Sequence, residues 1–356
     1  MTDEERRAKL IVPAGKIRLV IDTDAKNEVD DQFAIAWALT SPERFDVEAV
    51  YAAPFSTAFS DRDDEPEELR EKAGKLVGSA DTPADGMRQS YDEIVRIYDL
   101  LGLDPAGKVF YGSERYMLSD GPVDSPAARD LIGRARASDE TLYVAALGAI
   151  TNVASALAMA PEIAEKIAVI WLGGQPQWAQ SAKEFNLMQD VPAVRVVIES
   201  GVPLLMIPCM NVASLLTTAE DELRAKLGGR NALCDFLLSN VFPAFTDPEA
   251  AFAHLKLDRK GYLIGRNDYE DAYLDLFETE HISWSRIIWD ISTIAFLKNP
   301  NWVTSKECPA PHLTDEMQWV PASPEEARHT VRIANYCLRD FIFGDLFYCL
   351  TEKVNT

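Results

Sequence analysis

Four short runs of almost unbroken apolar residues constrain this chain most: residues 16–22 (KIRLVID), 141–147 (TLYVAAL), 167–172 (IAVIWL) and 202–207 (VPLLMI). A strand with one wet face alternates polar and apolar side chains. These runs barely alternate, so each must be covered on both faces. A fifth run, 46–53 (DVEAVYAA), reads as a further strand. Helical patterns fall between them, at about 30–39, 67–77, 90–101, 151–160 and 192–200. Strands and helices in alternation predict an α/β domain, with a mostly parallel twisted sheet and helices on both faces.

The remaining segments extend that plan. Residues 60–71 are strongly acidic and read as a solvated loop and helix start. The stretch 219–280 is mainly helical in pattern and would form a helical region over the site. A helix is expected at 290–297, a strand at 328–336 and an amphipathic helix at 338–350. Without repeats or low-complexity linkers, residues 16–356 read as one domain, preceded by a mobile leader over 1–15.

Charge narrows the partners. Lys and Arg number 35 against 57 Asp and Glu, a net charge of −22. Binding to nucleic acid or an anionic membrane needs a basic footprint, and no Lys/Arg run supplies one. The first residues carry charges but no apolar stretch of signal-peptide length. The five cysteines form no Cys-x-x-Cys pair, which fits reduced thiols and a cytoplasmic location.

Chemistry concentrates where the first strand ends. Asp22, Asp24, Asn27, Glu28, Asp30 and Asp31 fall within ten positions. Ligands of open α/β sheets bind beyond the carboxyl ends of the strands. Helix capping would account for Asp30 or Asp31, but not for Asp22 and Asp24 as well. Carboxylates packed this densely repel one another, and a hard divalent cation relieves that repulsion through oxygen ligands.

The segment Asp22-Thr23-Asp24 followed by Asp30-Asp31 resembles the N-terminal signature of the inosine–uridine preferring nucleoside hydrolase family, Asp-Thr-Asp-Pro-Gly-x-Asp-Asp. Three later segments are similar to that family's motifs, in the same order. They are Leu147-Gly-Ala-Ile-Thr151-Asn152-Val-Ala, then Gly173-Gly174 with Glu184-Phe185-Asn186 and Asp190, then Trp289-Asp290. The resemblance implies a Ca²⁺ enzyme that hydrolyses the N-glycosidic bond of a ribonucleoside, with a small-molecule nucleoside as substrate and a homodimer or homotetramer as assembly. Asp24, Asp31, Asp290 and the carbonyl of Thr151 would be the calcium ligands. Asp24 would also be the general base toward a calcium-bound water. Asp30, Glu184 and Asn186 would hold the ribose hydroxyls. Asp22 and Asn152 would support them, and Trp289 could stack on the leaving base.

The sequence departs from the family form in three places. Two extra residues separate Asp24 from Asp30, and Pro-Gly is absent. Trp289 stands where the family has a histidine before its last calcium aspartate. The second strand runs into Ala53-Pro54-Phe55-Ser56, without the family's sugar-binding Asn; Asn27 or Glu28 of the longer loop is expected to replace that contact. Two other functions are compatible with the acidic cluster. One is a non-catalytic ribose- or metal-binding protein on the same fold. The other is a divalent-metal phosphohydrolase, disfavoured by the lack of a basic phosphate-binding motif.

Overall fold

The computed structural model describes residues 1–57, 80–118, 121–179, 181–241 and 285–354. In chain order the elements are α1 (Asp3–Lys9), β1 (Ile17–Thr23), α2 (Asp30–Leu39), β2 (Phe45–Ala52), α3 (Pro83–Leu100), β3 (Val109–Tyr111) and α4 (Pro126–Arg136). Then come β4 (Leu142–Ala146), α5 (Thr151–Met159), β5 (Ile167–Leu172), α6 (Phe185–Gln189), α7 (Val191–Glu199), β6 (Leu204–Ile207), β7 (Thr217–Ala219), α8 (Glu220–Leu227) and α9 (Ala232–Val241). The last are β8 (Ser285–Ile287), α10 (Ile291–Lys298), β9 (Val303–Pro309), β10 (His312–Leu313), β11 (Trp319–Val320), β12 (Thr330–Cys337) and α11 (Arg339–Glu352).

Eight strands form the central sheet in the order β3-β2-β1-β4-β5-β6-β12-β9. Every neighbouring pair is parallel except β12 with the edge strand β9. The order reverses between β1 and β4, which opens a crevice beyond their carboxyl ends. The apolar runs fill both faces. On β4, Leu142, Val144 and Ala146 join one apolar layer, and Tyr143 and Ala145 the other. The first layer packs under α4, α5 and α7; the second lies under α2, α10 and α11. Helix α2 has no wet stripe: residues 30–38 are all buried.

The helical region expected over 219–280 is seen as α8 and α9. Its remainder, and the patterns expected at 60–71 and 67–77, lie outside the described residues. Strands β3 and β9 and helix α4 of the frame were not anticipated. Strand β3 has three residues, too few for a period to show. Helix α4 begins at a Ser125 cap followed by Pro126, a start signal that was legible.

The leader expected over 1–15 takes a different form. Thr2 and Glu5 close a capping box on α1. Arg6 then donates to the Gly201 carbonyl at 2.7 Å, Thr330 N–H donates to Asp3 at 3.0 Å, and Leu10 is buried in the layer beneath. These contacts anchor the segment to the far end of the sheet. Among the described residues, no helix is long and apolar enough to cross a membrane. Leu10→Ala should lower unfolding stability by about 2–3 kcal/mol, the usual cost of truncating a buried leucine. Chemical denaturation checks this, and an unchanged midpoint would mean that the segment is undocked.

Candidate active site

The crevice at the sheet's reversal is floored by β1. Asp22 is the penultimate residue of that strand, and its carbonyl accepts from Leu147 N–H at 2.7 Å. Asn152 Nδ2 donates to the Asp22 carboxylate at 2.8 Å. Asn152 Oδ1 in turn accepts from the Ser113 amide and hydroxyl, both at 2.8 Å. The chain then turns, with Asn27 N–H on the Asp24 carbonyl at 2.7 Å, and enters α2.

Helix capping does not explain the acids that follow. The N-cap of α2 is Val29, and no side chain caps it. Asp30 and Asp31 are its first two helical residues. The Asp31 carboxylate instead accepts from the Thr23 hydroxyl. Asp290 is the N-cap residue of α10, yet its side chain makes no capping bond.

What these side chains face is one another. Carboxyl oxygens of Asp30, Asp31 and Asp290 all lie within 4.8 Å of one another, and all three residues are buried. Asp24 is not one of this trio, although the resemblance places it in the metal set and Asp30 outside it. It sits beside them, buried, and interacts electrostatically with Asp31 and Asp30. One oxygen each of Asp22, Asp24, Asp30 and Asp290 is buried without a hydrogen-bond partner. Buried acceptors without donors are costly, and unpartnered oxygens on Asp24, Asp30 and Asp290 fit a site for a cation. All-oxygen, all-carboxylate donors suit a hard divalent ion such as Ca²⁺ or Mg²⁺.

Titration follows from this geometry. Burial pushes Asp22 up to about 7 and Asp31 up to about 6. Asp24, Asp30 and Asp290 are raised well above the ordinary carboxylate range, first by burial and then by the neighbouring acids. Glu184 is raised to about 7 by burial, against three backbone donors that favour its charge.

The other expected residues surround this centre. Thr151 is the first residue of α5, and its hydroxyl donates to Asp190 at 2.7 Å. Glu184 caps α6, accepting from the amides of Gly174, Asn186 and Leu187. Asn186 Nδ2 donates to the carbonyls of Leu147 and Leu172, at the ends of β4 and β5. Trp289 is partly buried against the apolar layer that contains α2. Trp284 lies outside the described residues. Glu28 forms an ion pair with Arg286 at 2.6 Å, so its carboxylate is already engaged.

Four supporting residues have no role assigned from sequence, although Asp190 and Gly148 fall within the quoted motifs. Asp190 holds the amide of Met117 and the hydroxyl of Thr151 on one oxygen. Gln189 takes Ser56 N–H at 3.0 Å and donates to Ser56 O at 3.2 Å, fixing the loop after β2. Arg286 is a buried cation beside the acids. Gly148 lies so near Asp24 that a Cβ there would sit 2.6 Å from its Oδ1 and 3.2 Å from its own Cβ. The Gly within Leu147-Gly-Ala-Ile was the available signal for that close approach.

A switch-point crevice lined with buried carboxylates, on a sheet of this strand order, defines a nucleoside hydrolase-like fold. Solved structures bear that out. A plant nucleoside hydrolase, PpNRh1, superposes with TM-score 0.64 at 18% identity, over 95% of this chain and 99% of that one. The purine-preferring ribonucleoside hydrolase from Gardnerella vaginalis gives the same TM-score, identity and coverage. The family model for inosine-uridine preferring nucleoside hydrolase matches residues 19–333, and the chain belongs to that family. The pyrimidine-specific ribonucleoside hydrolase RihB of Escherichia coli K12 is 37% identical over 100 residues, 24% of this chain and 32% of its own length. The match thus spans about a third of that relative.

Two expectations follow. Gly148→Ala should fold but push the Asp24 carboxylate from its place, weakening divalent-cation binding by on the order of ten-fold; isothermal titration checks it. The second concerns pH. Folded-state pKa values raised to about 6–7 mean that the cation-free folded chain holds more protons than the unfolded chain above the ordinary carboxylate value near pH 4. That stability is complete below about pH 4 and is lost as pH rises through 6–7. The melting temperature in chelator should therefore fall between pH 5 and 8, and a divalent cation should flatten or reverse the fall.

Proposed function

We propose that this chain is a calcium-dependent N-ribosyl hydrolase, releasing free base and ribose from ribonucleosides or a related N-riboside. The observation that carries the reading is the buried trio Asp30, Asp31 and Asp290 beside Asp24, with oxygens left unpartnered, in a chain of the nucleoside hydrolase family. Asp24, Asp31, Asp290 and the Thr151 carbonyl would hold the ion. When bound, calcium supplies a Lewis acid that acidifies water and anchors vicinal hydroxyls, its six to eight oxygen ligands leaving room for both.

The chain's own groups do the rest. Asp24 accepts the proton of the attacking water; burial and its acidic neighbours already raise its proton affinity. Asp30 accepts from the ribose hydroxyls, with Asn27, Glu184 and Asn186 around the sugar. Glu184 and Asn186 are held by backbone partners, so the ribose meets a fixed wall rather than mobile side chains. As the base departs, the anomeric carbon gains positive character, and the surrounding carboxylates stabilise it. Asp22, oriented by Asn152, fixes the floor from which Asp24 projects. Trp289, next to Asp290, offers a flat apolar face to the leaving base.

The test is release of base and reducing sugar from a panel of ribonucleosides and 2′-deoxynucleosides, with calcium and with chelator. Release should require calcium, fall at least about a thousand-fold in Asp24→Ala through loss of the proton acceptor, and be weak on deoxy substrates. Tight calcium binding with no release from any N-riboside would favour a binding protein on this fold. Phosphate release without base release would favour a phosphohydrolase.

A further inference from the structure

The trio is assembled from two distant pieces of chain. Asp30 and Asp31 open α2, whereas Asp290 precedes α10, about 260 positions later. Like charges drive those two pieces apart, so something else must hold them together. The loop between Asp24 and Asp30 lacks the Pro-Gly that the family motif uses there, and a loop without it needs another restraint. Its backbone is tied to the frame by Gln32 Nε2 on the Ala25 carbonyl at 3.1 Å and by Lys26 N–H on the Ser90 hydroxyl at 3.3 Å. Lys26 also pairs with Glu93 of α3 at 3.4 Å.

Besides the Asp31–Asp290 side-chain contact itself, an ion pair reaches across to the other piece. The Glu28 carboxylate meets Arg286 at 2.6 Å, with side chains only 20% and 10% exposed. Glu28 stands two residues before Asp30. Arg286 stands four before Asp290, on β8, where it is paired with Thr218 of β7. In this partly buried setting, removing one partner leaves the other charge uncompensated.

We propose that Glu28 and Arg286 are positioning residues, a cross-tie that holds the two acidic segments at metal-binding distance against their own repulsion. This rests on the calcium reading above. A rival account treats the two only as local charges, and the two accounts differ in sign. Removing a negative charge near the site weakens cation binding, whereas removing a positive one strengthens it. A broken tie weakens binding in both cases.

The experiment is calcium titration by calorimetry of the wild-type chain, Glu28→Gln, Arg286→Met, the double variant and Arg286→Lys, with folding checked by circular dichroism. Each neutralising variant should bind calcium on the order of ten-fold more weakly, the size usual for groups that orient metal ligands. The double variant should be no weaker than either single one, because the tie is lost only once. Arg286→Lys should recover most of the loss. Where base release is measurable, it should fall at subsaturating calcium and recover toward wild type when calcium saturates. Tighter binding by Arg286→Met, or additive losses in the double variant, would overturn the cross-tie alone. Should Arg286→Met fail to fold, Glu28→Gln and Arg286→Lys still decide: unchanged affinity in Glu28→Gln, or full loss in Arg286→Lys, overturns the inference. No calcium binding by the wild-type chain would overturn the functional reading and this inference together.

Discussion

Mutual repulsion among buried carboxylates is the constraint around which this molecule is arranged. Five aspartates are buried at this end of the sheet, Asp22, Asp24, Asp30, Asp31 and Asp290, and the last four act on one another. Burial alone favours their neutral forms, and proximity adds to it. The chain meets part of this demand internally. Asn152 donates to Asp22, Thr23 to Asp31, and Arg286 sits close enough to lower the proton affinity of Asp30. What remains is a set of unpartnered oxygens that only a cation or protons can satisfy. At neutral pH, the two compete for the same atoms.

The sheet supplies the rigidity that such a set requires. Strand β4 is fully buried, β1 is buried except at Arg18, and the two are bonded in register, so the loops leaving them start from fixed points. Close packing then does what side-chain bonds cannot. Gly148 lets Asp24 lie against the β4–α5 turn, and Gly112 leaves space where a Cβ would strike the Ala52 carbonyl and Asn152. Asp190 joins α7, α5 and the loop at Met117, while Gln189 and Tyr116 hold the loop after β2. Residues that carry the chemistry are thus held by neighbours that carry none.

How much of this was readable from sequence depends on the range of the interaction. Strands β1, β4, β5 and β6 were legible because each is buried on both faces and reads as a mostly apolar run, whereas β2 and β12 showed through β-rich composition and partial alternation. Three-residue β3 and the polar edge strand β9, VTSKECP, carry no such signature. The acidic cluster after β1 was local in sequence and stood out. Asp290 was found only through the order of motifs, since one aspartate before an apolar helix is otherwise an ordinary cap. Arg286 gave no signal, because its meaning lies in Glu28, far away in the chain. Assigning Glu184 and Asn186 to the sugar did not reveal that each is held by backbone groups, since those bonds form only once β4 and β5 lie side by side.

A cation bound in this crevice would therefore couple to folding. A ligand that binds the folded chain alone adds stability in proportion to the logarithm of its concentration over its dissociation constant, about 2.7 kcal/mol at a hundred-fold excess. Such an ion would remove a repulsion that the fold otherwise has to withstand, so its effect would be felt where the carboxylates are densest. Helix α2 is buried along its length and begins with two of those acids, while α10 is preceded by a third. Displacing the trio would shift both helices against the layer they share with α11. The geometry of the site and the packing of that face of the sheet are consequently hard to change independently, and an ion-binding defect should be felt as a packing defect on that face.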